Sequence, residues 1–113
     1  MAPDSSATVS SYDLPIHSLL SFHDRLAAFK DGSDTTRAYL ERCLAVIDVL
    51  EGEIKAFAAL NIEGNRAAAD ALTGRYKEGR PNSLVDGMPF GAKDLYQTVN
   101  IPTQMNIPKC DGW

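Results

Sequence analysis

From Thr35 onward, apolar residues return every three or four positions. Leu40, Cys43, Leu44, Ile47 and Leu50 fall on one face of a helix, while Arg37, Glu41, Arg42 and Asp48 fall on the other. Thr35 supplies a side-chain oxygen for the first free backbone amides, so the pattern predicts a helix over 35–51. Arg37 and Glu41 stand one turn apart and can pair across it, for a few tenths of a kcal/mol at most. A helix with a single apolar stripe has to lay that stripe against another element. The chain offers two more helical runs: one through Ile16, Leu19, Phe22, Leu26 and Phe29, broken by Asp31-Gly32, and one through Ala68, Ala71, Leu72 and Tyr76, stopped by Gly79 and Pro81.

Two stretches read differently. Over Glu53–Leu60 the residues Ile54, Ala56, Ala58 and Leu60 alternate as a strand would, while the alanines also suit a helix; the alternation favours a short extended segment. Leu84–Ala92 is an apolar run punctuated by glycine, predicting a buried strand with Pro89 at its start or on an edge, since proline donates no ladder hydrogen bond. Asp94–Trp113 carries Pro102, Pro108 and Gly112 without periodicity and reads as a connection. No internal repeat is present. At 113 residues the chain amounts to one domain at most, and nothing in that length requires its core to be complete in itself.

Composition excludes several classes of function. Eleven basic against fifteen acidic residues give a formal charge of −4, with no basic stripe, which argues against direct binding to nucleic acid or to anionic membranes. Residues 1–15 are small and polar, without a basic start or a long apolar segment, and are expected to form a flexible N-terminus of a cytoplasmic protein. Cys43 and Cys110 fit neither a disulfide framework nor a zinc site; Cys43 reads as a small buried hydrophobe and Cys110 as a loop thiol. His17 and His23, six apart, do not share a face at metal-ligand spacing. Gly87, Gly91 and Lys93 lack the spacing of a phosphate loop, so nucleotide binding is unsupported.

The chemistry-bearing stretch is DGMPFGAKDLYQT, Asp86 to Thr98, where Lys93 follows an apolar run and precedes Asp94. A Lys-Asp pair in a loop is ordinarily a solvated charge couple. A lysine held where desolvation or other cations lower its pKa can instead serve as a general base. Spacing alone favours the first reading.

The longer phrase LVDGMPFGAKDLYQTVNIPT resembles the signature of the amidase signature family, in its Leu84 or Val85, Gly87, Pro89, Lys93-Asp94 and Pro102-Thr103 elements. The helix from Thr35, the KAFAAL segment and the alanine-rich helix before the signature fit the same resemblance, which covers nearly all of the chain after residue 15. It implies an α/β fold: residues 16–113 as the N-terminal portion of a larger α/β/α domain, mainly helices plus a few strands of an incomplete mixed sheet. It also implies a catalytic Lys93 that accepts the proton of a bridging serine, which in turn deprotonates a serine nucleophile attacking an amide carbonyl, and no metal or organic cofactor, since nucleophile, base and oxyanion donors are all protein groups. Asp94 is expected to orient local backbone, because a free carboxylate beside the lysine would raise its pKa.

Two departures from the family pattern stand out. Thr103 is followed by Gln104-Met105-Asn106-Ile107 where a Gly-Ser pair is usual, and no glycine- and serine-rich segment is present. The serines at hand, Ser5, Ser6, Ser10, Ser11, Ser18, Ser21, Ser33 and Ser83, read as caps, turns and solvated tail. The resemblance therefore implies part of an amidase that splits a small linear amide into a carboxylate and ammonia or an amine through an acyl-enzyme, this portion being inactive by itself and the whole enzyme a homodimer. The alternatives are the amide-transferring subunit of the tRNA-dependent amidotransferase, and a non-enzymatic interaction module or relic.

Overall fold

The computed structural model describes residues 21–105 and 107–110. The expected flexible N-terminus and His17 lie outside them. A turn of 3-10 helix, His23–Arg25, leads into α1, Leu26–Asp31. This helix closes on Gly32 at φ 85°, with the Gly32 and Asp34 amides both donating to the Ala28 carbonyl.

Helix α2 spans Thr36–Ile54, and Thr35 Oγ1 caps it by accepting from the Ala38 amide at 3.0 Å. It runs one turn beyond the residue expected from the sequence and stops at Lys55, in left-handed conformation at φ 53°. Helix α3, Ile62–Lys77, is capped by the Asn61 side chain, which accepts from the Gly64 amide, and is closed by Gly79 at φ 71°. A last 3-10 turn covers Pro108–Cys110.

The core is aromatic. Phe22, Leu26 and Phe29 pack against Tyr39 of α2 and Tyr76 of α3, with Cys43 against the same cluster. Phe22 meets Tyr39 edge-on at a centroid distance of 5.3 Å, and Phe29 lies 5.6 Å from Tyr76. Where α2 crosses α3, the fully buried Thr36 donates to the Ala69 carbonyl at 2.8 Å and lies 3.0 Å from the Thr73 hydroxyl. Polar ties reinforce the packing. Glu41 accepts from Arg37 in its own helix, as expected, and also takes a two-pronged grip from Arg66 of α3. Asp34, buried behind α1, accepts from both Arg25 and Arg42.

The expected strands are absent among the described residues: the only β pairing is an isolated bridge between Thr98 and Ile101. The structure is mostly helical, which corrects the α/β expectation for this stretch. The reason lies in backbone hydrogen bonding, since an extended segment needs a neighbouring strand to satisfy its amides and carbonyls. Over 53–60, Ile54 completes α2, and the amides of Ala56 and Phe57 turn back onto the Glu51 carboxylate at 3.0 and 2.9 Å. Over 84–92, Asp86 and Met88 donate to Ser83 and Val85 in tight turns, and no extended neighbour lies alongside among the described residues. The apolar residues that suggest a buried strand are consequently exposed, Phe90 at 83% and Leu84 at 65%.

Candidate functional site

Asp86 is where the glycine-rich stretch meets the helices. Its carboxylate, 10% exposed, accepts both prongs of the Arg75 guanidinium at 3.1 and 3.0 Å and the Asn82 amide at 2.8 Å. The Tyr76 hydroxyl donates to the Asp86 carbonyl at 3.2 Å. The Arg75 hydrogen bonds hold this carboxyl below its usual range, although partial burial pushes the other way. Next to it Gly87 adopts φ 89° and lies so close to the α2–α3 crossing that a Cβ there would sit 2.9 Å from Thr36 Cγ2.

Beyond Gly87 the residues 88–93 carry no regular secondary structure. They form one wall of a groove of about 560 Å³ whose other walls are Leu40 of α2, Ala68 and Leu72 of α3, and the 56–61 segment. Phe57 leans on this strap, its Cε1 3.9 Å from where a Gly91 Cβ would be. Lys93 lies at the end of the strap and borders the groove. Its carbonyl accepts from the amides of Leu95 and Tyr96 at 2.7 and 3.1 Å, which makes a tight turn.

Asp94 orients backbone, as expected, by accepting from the Gln104 amide at 2.9 Å. The buried Thr103 donates to the Tyr96 carbonyl at 2.9 Å. The unusual Thr103-Gln104-Met105 sequence therefore still closes the turn, with Met105 at φ 51° and the Ile107 amide donating to Gln104.

The Lys93 side chain itself is exposed and has no hydrogen-bond or ion-pair partner among the described residues. A catalytic base calls for a deeply placed amine; here the lysine is exposed at the edge of the groove. Cys43 is half-buried, and burial pushes its thiol up, away from a nucleophilic thiolate. His23 is exposed, and among the described residues no three His, Cys, Asp or Glu side chains gather as metal ligands. No helix there is long and apolar enough to cross a membrane. The Arg75–Asp86 fork and the Glu51 clamp on Ala56 and Phe57 are not legible in the sequence, where these partners stand eleven and five or six residues apart without a motif.

No family model matches the chain. No solved structure matches it either. Among curated proteins, it is 41% identical over 81 residues to a glutamyl-tRNA(Gln) amidotransferase subunit of Chloroflexus aggregans, an alignment covering 72% of this chain and 16% of that protein. It is 36% identical over 96 residues to the protein of the same name from Myxococcus xanthus, covering 84% of this chain and 19% of the relative. A third, from Anaeromyxobacter sp. (strain K), is 38% identical over 74 residues, covering 66% of this chain and 15% of the relative. The chain thus spans less than a fifth of the length of the curated relatives it matches.

Proposed function

We propose that this chain is the N-terminal part of an amidase signature enzyme, of the amide-transferring kind found in glutamyl-tRNA(Gln) amidotransferases. The observation that carries the proposal is the homology over 72–84% of the chain to subunits of that name, in a sequence whose signature lysine borders a groove. The homology also orders the two enzymatic readings of the sequence: the transferring subunit comes first, and a free-standing amidase second.

In this reading Lys93 is the terminal base. A serine hydroxyl attacks the carbonyl carbon of an amide, its proton passes to a bridging serine, and that serine's proton passes to the Lys93 amine. The C–N bond then breaks as the leaving nitrogen is protonated, giving ammonia and an acyl-serine that water hydrolyses. Both serines and the oxyanion donors would come from further polypeptide closing over the groove. The same closure would strip water from Lys93, whose amine has to be neutral to accept a proton. Asp94 contributes by committing its carboxylate to the Gln104 amide instead of to the lysine.

The test is a graft. Residues 21–110 replace the matching stretch of the Chloroflexus aggregans protein, and ammonia release from glutamine is measured with the companion subunits present. The graft should be active, and Lys93→Ala should lower kcat by about a hundredfold or more, the usual contribution of a positioned general base. Retention of activity in Lys93→Ala would overturn the assignment, whereas hydrolysis that needs no companion subunit would move it to a free-standing amidase.

A further inference from the structure

The segment that carries Lys93 is held at two points and free between them. Downstream, Asp94 and Thr103 tie the turn to Gln104 and Tyr96. Upstream, the Asp86 carboxylate is gripped by Arg75 and its carbonyl by Tyr76, while Gly87 is pressed onto Thr36 and Leu72. Between these clamps, the backbone hydrogen bonds of 88–93 among the described residues lie only at its two ends, Met88 to Val85 and the Leu95 and Tyr96 amides to the Lys93 carbonyl, and Phe90 stands 83% exposed. Such a strap has little local structure of its own, so its course is set by its ends.

The upstream clamp has the geometry needed to fix direction as well as distance. A guanidinium and a carboxylate in two parallel hydrogen bonds form a planar, charge-assisted pair. The Asn82 amide takes one further lone pair of the same carboxylate, which immobilises it against rotation. An ammonium at position 75 would keep the charge but not the fork.

We propose that Asp86 is a positioning residue: locked by the Arg75 fork at the head of the Met88–Lys93 strap, it fixes the path by which Lys93 reaches the edge of the groove. Its functional consequence rests on the amidase reading of Lys93; its structural content does not.

Two measurements separate these. In the 113-residue chain, hydrogen exchange followed by mass spectrometry should rise at least tenfold at the hydrogen-bonded Asn82, Asp86 and Met88 amides, in peptides covering 82–88, for both Asp86→Asn and Arg75→Lys, with no change in the α2–α3 contact around Thr36 and Ala69. In the graft described above, the same two variants should lower kcat about tenfold while KM for glutamine stays constant, and Asp86→Glu, which can re-form the fork, should recover part of the loss. Arg75→Lys serves as the second variant because it preserves charge and helix propensity at α3. Unchanged exchange over 82–88, or exchange rising equally through all three helices, would overturn the proposal, the latter by showing that the pair only adds global stability. An unchanged kcat alongside an opened strap would overturn the positioning role. If Lys93→Ala itself retains activity while the strap still opens in Asp86→Asn, the amidase reading fails and the clamp stands.

Discussion

The same substitution made at two glycines should move stability in opposite directions, and the structure sets both sizes. At Gly87, φ is 89° and an added Cβ would lie 2.9 Å from Thr36 Cγ2, 3.3 Å from Leu72 Cδ1 and 3.4 Å from Thr36 Cβ. An L side chain in the left-handed region costs about 1–2 kcal/mol, and forcing a methyl into a filled contact adds about 1–3 kcal/mol. Thr36 cannot rotate aside, because it is 1% exposed and its hydroxyl is committed to the Ala69 carbonyl and to Thr73. Gly87→Ala should therefore destabilise by about 2–5 kcal/mol, the sum of those two costs. At Gly74, inside α3, an added Cβ meets nothing within 4 Å, so Gly74→Ala should stabilise by about 0.5–1 kcal/mol through helix propensity. Urea titrations followed by helical circular dichroism read both. With a slope of about 1–2 kcal/mol/M for a chain of this size, the Gly87→Ala midpoint should fall by at least about 1 M and the Gly74→Ala midpoint should rise by roughly 0.5 M. The double variant should lie between them, since the two sites share no partner. A Gly87→Ala midpoint within about 0.3 M of the parent would mean that Gly87 does not press on the α2–α3 crossing, and the account of how the strap is anchored would fail with it.

The helix cap and the carboxylates set two more outcomes. Thr35→Ala removes the oxygen that receives the Ala38 amide and should cost about 1 kcal/mol by the same urea assay, whereas Thr35→Ser should cost much less. Hydrogen bonds from Arg66 and Arg37 lower Glu41 from 4.5 to about 2, so the folded state holds the charged form more tightly than the unfolded chain does. That contribution is complete above pH 4.5 and is lost as pH falls from there towards 2; Asp86, lowered mainly by Arg75, adds to the same acid limb. The urea midpoint should thus hold steady from pH 7 to about 5 and then fall, and Glu41→Gln should flatten that fall. An acid limb of equal steepness in Glu41→Gln would show that the Arg66 fork contributes nothing.

What the sequence reveals and what it conceals divide along the range of the interactions. Helix α2 is legible in its Thr35 cap and its Leu40-to-Leu50 face, and α3 in its body and its stop at Gly79, because these act on near neighbours; the end of α2 at Lys55 and the Asn61 cap of α3, ahead of Gly64-Asn65, are not. The helix preceding Asp31-Gly32 is legible in kind, with Phe22, Leu26 and Phe29 buried as their spacing implies. The extended stretches mislead because a strand is not a local object. Alternation or an apolar run says only that a segment could pair, and the partner decides whether it does. Residues 56–57 are captured instead by a carboxylate in the preceding helix, a contact that depends on Lys55 taking a left-handed conformation. The site obeys the same rule. Lys93 and Asp94 are found through a motif, yet the Arg75–Asp86 grip joins two elements whose approach no local pattern announces.

Phe90 and Val99 are each 83% exposed, while every buried side-chain oxygen and nitrogen among the described residues has a partner. A chain whose buried polar side chains are satisfied while Phe90 and Val99 stand uncovered is settled in its hydrogen bonding but unsettled in its hydrophobic surface. The clamps at Asp86 and Asp94 hold the 88–93 strap in place without help from a sheet, so the strap can present apolar side chains and free backbone groups to whatever packs there. If further polypeptide closes over the groove, as the amidase reading requires, its arrival would bury Phe90 and desolvate Lys93 in one step. The lysine would then become a competent base only when the cavity that holds its substrate is complete, because the burial that finishes the fold is also the burial that favours a neutral amine.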